Sequence, residues 1–368
     1  MKSNLKPFDS TLFITVLILA GLGIIMVLSA SSHLGEISYG TPYFFFKRQI
    51  IWVIAGIAVM LFLSRLDYKV YKNLYVLIFV VALALLALVL VPGIGSGEIR
   101  GAKRWINLGF MDFQPSELAK LATIIFLSAS LSNNYKKLAK FWTGLVPYFI
   151  IVGLVCGLLF LEPHYSSMVI IFAISCILLF TAGAKIWHFL VCLIPVGVLG
   201  GILIAIEPYR VSRIFGYLKP FEDATGSGWQ IIQSLYAIGT GGIFGLGLGQ
   251  SKQKYLYLPD AHNDFILSIW AEETGLLGMI LIVTLFAIFI WRGIRIATKA
   301  PDLFGGLLAT GITMLVAIQI ILNIGIITNC LPVTGMPVPF LSYGGTSMLF
   351  FMAEVGILLN ISRKTETL

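Results

Sequence analysis

Charge is scarce in this chain. Only 11% of its 368 residues are Asp, Glu, Lys or Arg, where a water-soluble domain carries about a quarter. With 58% hydrophobic residues, a soluble fold would have no way to cover its apolar surface, so the bilayer must act as the solvent. Cysteine is sparse as well. Cys156, Cys176, Cys192 and Cys330 lie within or at the end of apolar stretches and form no CxxC pair, which argues against disulfide or metal roles. The glycines have neither a Rossmann nor a Walker A context, so a nucleotide-driven pump is not indicated. No nucleic-acid motif accompanies the net charge of +8; the positive charge reads as membrane anchoring plus functional groups outside. The first apolar stretch lacks a small-residue cleavage pattern and reads as a retained helix, not a signal peptide.

Long apolar runs are what the chain has in abundance. A span of a ~30 Å hydrocarbon core needs about 20 residues, and such runs fall near 11–30, 49–64, 74–91, 115–131, 142–161, 166–182, 187–206, 264–291, 303–327 and 344–361. The expectation is an all-α polytopic membrane protein of about ten transmembrane helices, because only closed backbone hydrogen bonding survives in lipid. More than half of the Lys and Arg residues, among them Lys69, Lys72, Lys136, Lys137, Arg292, Arg295 and Lys364, fall in short segments on one side. The positive-inside rule then puts both termini in the cytoplasm. Segments 92–114 and 207–263 lie outside, the second as a large extracytoplasmic loop between helices 7 and 8. No repeat and no fused soluble domain is visible, so residues 1–368 read as one transmembrane domain whose site is built by those two loops.

Within the larger loop, 208–230 mixes Arg210, Arg213 and Lys219 with aromatics, as suits the headgroup layer. Residues 239–254 are glycine-rich and end in Gln250-Ser251-Lys252-Gln253-Lys254; they read either as a tightly packed re-entrant or interfacial hairpin or as backbone that approaches a ligand. Asp264 then stands at the entry of the 264–291 span. It, or Asn263, is placed to cap that helix, yet a carboxylate at the rim of a low-dielectric cavity also makes a general base. His262 and Asp260 are further candidates nearby. Glu272, Glu273 and Glu354 lie deeper and read as partners of polar groups on other helices.

A second cluster comprises Lys103, Arg104 and Trp105, followed by Pro115, Ser116, Glu117 and Lys120. Glu117 and Lys120 have ion-pair spacing on a helix; alternatively Lys120, Arg104 and Lys103 face the phosphates of a lipid headgroup with Trp105 at the interface. A third element, LPVTGMPVPFLSYGGTS at 331–347, is kept non-helical by its prolines. It leads through Ser342 to the start of the last span, where free N–H groups attract an anion.

These segments together resemble the SEDS (RodA/FtsW/SpoVE) family of peptidoglycan polymerases, over nearly the whole chain. The matching stretches are GAKRWINLG (101–109), FQPSELAKLA (113–122), GSGWQIIQSLYAIGTGGIFGLGLGQSKQK (226–254), YLPDAHNDFI (257–266), AEETGLLG (271–278) and LPVTGMPVPFLSYGGTS (331–347). The wording of the loop motifs is closer to the division and sporulation branch than to the elongation branch.

The resemblance implies an inverting glycosyltransferase that polymerises lipid II into β-1,4 glycan strands on the outer face of the plasma membrane, with a lipid II flippase as the alternative. Asp264 matches the family's acidic residue and becomes the expected base. Trp105 and Lys120 match the family's Trp and Lys. Arg104, Glu117, Arg210, Arg213, Lys252, Lys254, His262 and Ser342 join them as expected substrate-binding residues. A divalent cation, Mg or Mn, is the one cofactor considered, with Asp264 its candidate ligand and no nucleotide. Expected partners are lipid II, the growing glycan chain and a class B penicillin-binding protein, and no nucleic acid. At Glu162-Pro163-His164-Tyr165 many members have Pro-Asp, so no role transfers to that position.

Overall fold

The structure, a computed structural model, describes residues 7–91, 95, 104–109, 112–189, 217–223, 226 and 228–365. Its α-helices in chain order are α1 (Ser10–Tyr39), α2 (Phe44–Leu63), α3 (Lys69–Val89), α4 (Pro115–Asn134), α5 (Val146–Leu161), α6 (Tyr165–Thr181), α7 (Trp229–Gly241), α8 (Ile266–Thr298), α9 (Leu303–Ile327) and α10 (Gly345–Ser362). A two-residue antiparallel pair, β1 (Ile106–Asn107) with β2 (Asp112–Phe113), sets Ile106 opposite Phe113 just before α4.

Seven helical stretches among the described residues are long and apolar enough to cross a bilayer: α1, α2, α3, Phe141–Leu161, α8, α9 and α10. The expected spans at 115–131 and 166–182 correspond to α4, which carries Glu117 and Lys120, and to the 17-residue α6. The expected span at 187–206 lies outside the described residues from 190 onward.

Helix ends follow local chemistry. The Asp9 side chain accepts from the Leu12 amide at 3.0 Å and starts α1; Asp302 accepts from Gly305 at 2.7 Å and starts α9. Both satisfy amides that helical geometry leaves orphaned. α10 packs along α2, α3 along α4, α8 against α1, α7 and α9, and α9 against α4 and α6. At one end of the bundle Arg292 binds the Asp9 carboxylate through two nitrogens, at 2.7 and 2.6 Å, and the Asp9 amide donates to Ser362 Oγ at 3.0 Å. α1, α8 and α10 are thereby tied together.

Two features of 217–278 differ from the sequence expectation. A 13-residue helix, α7, lies inside the stretch read as loop and packs on α8. α8 itself breaks at Gly275, which has φ 65° and ψ −161°. The break leaves backbone groups unpaired, and the glycine-rich segment pairs them. Leu246 and Gly247 amides donate to the Glu272 and Glu273 carbonyls at 3.0 and 2.9 Å, and Leu276 and Leu277 amides donate to the Gly242 and Ile243 carbonyls at 2.9 and 3.3 Å. The hairpin reading of 239–254 thus describes its packing. Among the described residues the broken helix pairs with a loop and not with a second broken helix.

Candidate active site

The N-terminal turns of α4, α6 and α10 open on one cavity of about 750 Å³, lined from them by Gln114 and Glu117, by Ser166 and Ser167, and by Gly344, Gly345 and Ser347. The positive ends of three helix dipoles therefore border the same space. Three cations line it: Arg48 of α2, Arg104 before β1, and Lys120 of α4. Three carboxylates do too: Asp112, Glu117 and Asp264. Trp105 contributes an aromatic wall.

Asp264 is held from several sides. Phe265 occupies the N-cap position of α8, with no side-chain cap bond, so neither Asn263 nor Asp264 stands at that position. The Asp264 carbonyl accepts from Asn323 Nδ2 of α9 at 2.8 Å, and the same amide nitrogen donates to Met336 O at 3.0 Å. Gly335, with φ 66°, leaves room for the carboxylate: a Cβ there would lie 3.2 Å from Asp264 Oδ2.

Ser342 frames the same loop. Its hydroxyl donates to the Asn263 carbonyl at 2.6 Å and accepts from the Val338 amide at 2.8 Å, while the Tyr343 amide donates to the His262 carbonyl at 3.1 Å. These bonds weld 257–264 to 331–344, so the third sequence element fixes the first.

Lys120 Nζ lies 2.8 Å from the Glu117 carboxylate, both side chains almost wholly buried, and 5.7 Å from the centre of the Phe351 ring. The ion-pair and cavity readings of Lys120 hold together, since the paired ammonium still lines the cavity. The Arg104 guanidinium donates to the Pro163 carbonyl and, at 3.5 Å, to the Glu162 carbonyl, clamping the turn between α5 and α6.

Arg104, Trp105, Glu117, Lys120 and Asp264, widely spaced in sequence, are thus brought to one cavity. The other expected site residues that the structure describes stand apart from it. His262 is buried, its ring packed 4.9 Å from Phe45 and 5.9 Å from Tyr343, and burial holds its imidazole below the usual histidine range. Ser342 is spent on the frame. Lys254 is buried against Glu273 at 3.4 Å and donates to the Gly249 carbonyl. Lys252 is exposed, with its amide donating to the Glu272 carboxylate at 3.1 Å. Arg210 and Arg213 lie outside the described residues, as do Lys103 and Cys192.

Glu272 and Glu273 accept from the 251–254 segment, and Glu273 also accepts from Ser29 Oγ of α1 at 2.5 Å. Glu273 thus has the partner on another helix that was expected, whereas the partners of Glu272 among the described residues lie in the loop that precedes α8. Sequence reasoning missed Arg48, Asp112, His164 and Gln319, all on the cavity wall. A usable signal existed for two of them, because an ionisable or amide side chain at the edge or interior of an apolar span marks function.

Among the described residues no group of three or more His, Cys, Asp or Glu comes together to cage a metal. Mg²⁺ commonly needs only one or two carboxylates, completing its shell with water and substrate phosphate oxygens; Asp112 and Asp264 both line this cavity.

Fold and cavity define a multi-pass membrane protein with a cavity that carries charged side chains at the meeting point of several helix starts. The sequence profile of the FtsW/RodA/SpoVE family, described as "Cell cycle protein", matches residues 9–367, and the chain belongs to that family. Stage V sporulation protein E of Bacillus subtilis (strain 168) is 44% identical over 356 residues, covering 96% of this chain and 97% of that protein. A probable peptidoglycan glycosyltransferase FtsW of Trichlorobacter lovleyi is 41% identical over 362 residues, covering 98% and 94%. Among solved structures, a chain from a study of the structural coordination of polymerization and crosslinking by a peptidoglycan synthase complex superposes with TM-score 0.79 at 28% identity, covering 97% and 98%. The rod shape determining protein RodA of Thermus thermophilus superposes with TM-score 0.72 at 26% identity, covering 98% of each chain.

Proposed function

We propose that this chain is a peptidoglycan glycosyltransferase that polymerises lipid II into β-1,4 glycan strands. The observation that carries the reading is the single cavity in which Asp264 meets Lys120, Arg104, Arg48 and three helix N-termini. Relatives named as glycosyltransferases favour this over the flippase reading.

The acceptor sugar's 4-hydroxyl attacks the anomeric carbon of the donor. The new C–O bond forms as the bond to diphosphate breaks, and the α-linked donor yields a β product in one inverting displacement. Asp264 takes the hydroxyl proton. The cations and the helix N-termini receive the negative charge that accumulates on the departing polyprenyl diphosphate. Arg48 lines the cavity and is exposed, 4.5 Å from the Phe44 ring, a fitting first contact for a phosphate. A divalent cation held by Asp264 would add Lewis-acid stabilisation of the leaving group when bound. Arg210, Arg213 and Lys252 belong to the same outer loop and remain part of the proposed substrate surface, whereas Lys254 is spent on Glu273 and Gly249.

The enzyme spans the plasma membrane with about ten helices and cytoplasmic termini. Its cavity faces outward, where it works beside a class B penicillin-binding protein that cross-links the strands. The test is polymerisation of lipid II by the purified protein, alone and with its transpeptidase, comparing wild type with Asp264→Ala, with and without EDTA. The expected result is glycan strands from wild type and a loss of at least about a hundredfold in the variant. Full activity in Asp264→Ala overturns the base assignment, and unchanged activity in EDTA removes the metal.

A further inference from the structure

We propose that His164 is a substrate-positioning residue whose Nδ1 hydrogen-bonds an uncharged group, a hydroxyl or an amide, on the sugar portion of the bound substrate. The proposal rests on the glycosyltransferase reading and deepens it.

His164 lines the cavity and is 7% exposed. It occupies the N-cap position of α6, in the turn that Arg104 clamps through the Glu162 and Pro163 carbonyls. Its backbone is fixed as well: its amide donates to the Leu159 carbonyl at 2.9 Å and its carbonyl accepts from Met168 at 3.3 Å. The ring is held at one edge, with Nε2 3.2 Å from Ser167 Oγ. Nδ1, at the other edge, is buried and has no hydrogen-bond partner among the described residues. A buried ring nitrogen left unpaired is a standing penalty, and such exceptions call for a cause. Of its neighbours in the turn, Ser166 gives its hydroxyl to the Thr334 carbonyl and Ser167 is engaged with His164 itself.

Charge decides which part of the substrate this atom meets. Burial first, and then the adjacent Arg104 and Lys120, hold the imidazole down to about 3, so it is neutral at physiological pH. A neutral ring offers one donor and one acceptor and no charge. The diphosphate is drawn to Arg48, Arg104, Lys120 and the helix N-termini. His164 is suited to the neutral sugar beside it.

The test uses the full-length protein with its transpeptidase partner and the variants His164→Asn and His164→Gln. An Asn amide reaches the position of Nδ1, whereas a Gln amide reaches that of Nε2. A substrate contact through Nδ1 predicts a KM for lipid II within about threefold of wild type in His164→Asn and about tenfold higher in His164→Gln, with kcat changing less than KM. The reverse order, with Gln retaining function, makes the Ser167 bond the important one and overturns the proposal. Equal KM in all three proteins overturns it too.

Direct binding of lipid II to the same proteins separates the two readings. Wild type that binds in a His164-dependent way but makes no strands overturns the transferase and keeps the contact. Should both variants misfold, carbethoxylation of His164 in wild type decides: lipid II must slow it at least about tenfold, and an unchanged rate overturns the proposal.

Discussion

Glu162 is a carboxyl group 1% exposed with neither oxygen hydrogen-bonded among the described residues. Burial pushes its acid up to about 8, and the positive charge of Arg104, the lesser influence, pulls it down. The Arg104 donors go to backbone carbonyls instead. Between about 4.5, the usual value, and about 8 the folded chain therefore holds a proton that the unfolded chain has released. Stability contributed by this group is present at low pH and is lost as pH rises through that window. Thermal unfolding in detergent should show wild type melting at a falling temperature from pH 5 to pH 8, with Glu162→Gln, which mimics the protonated form, showing a flatter profile and the higher melting temperature at pH 8. An identical slope in both proteins would refute the assignment. The sequence marked 162–165 as a departure from the family pattern, but it had no means of revealing the burial that makes the departure matter.

At the scale of elements, the broken helix α8 and the glycine segment answer each other. Gly241, the last residue of α7, touches the backbone of α8 so closely that a Cβ would lie 2.0 Å from the Ala271 carbonyl oxygen. Gly239, two residues earlier, is exposed and has open space around it. Gly239→Ala should raise stability by about 0.5–1 kcal/mol through helix propensity, while Gly241→Ala should lower it by about 2–3 kcal/mol through overpacking. Melting temperatures of the two variants check this, and similar effects at both positions would show that the contact is not made. The glycine count told only that backbones come close somewhere in 239–249. Which glycine meets which carbonyl depends on a helix 20 to 30 residues further along the chain.

For the whole molecule, orientation is the property that the proposed function requires. Lys252 lies on the exposed part of the loop after α7, and Lys136 follows α4. In a background lacking the four native cysteines, Lys252→Cys should react with a membrane-impermeant maleimide on intact cells, and Lys136→Cys only after permeabilisation. Reversed labelling would turn the cavity inward and sink an extracytoplasmic polymerase. At the opposite end of α1, α8 and α10, the Asp9–Arg292 pair closes the bundle with the Arg292 side chain 11% and the Asp9 side chain 0% exposed. This end reads as a structural lock that leaves the cavity end to carry the chemistry.

Apolar run length, the placement of Lys and Arg and the short family stretches are local properties. They therefore determined by themselves the membrane setting and most helix positions, and marked Asp264, Lys120, Glu117, Arg104 and Trp105 as candidates. Membrane helices announce themselves because each must satisfy its own backbone within one continuous apolar segment. The tertiary structure alone decided that these five residues share a cavity, that Arg48 and His164 join them, and that Ser342, His262 and Lys254 are spent on holding loops together. The physical reason is that a buried polar side chain takes its meaning from its partner, and many partners here are distant in sequence, as Ser29 of α1 is from Glu273 and Thr334 is from Ser166.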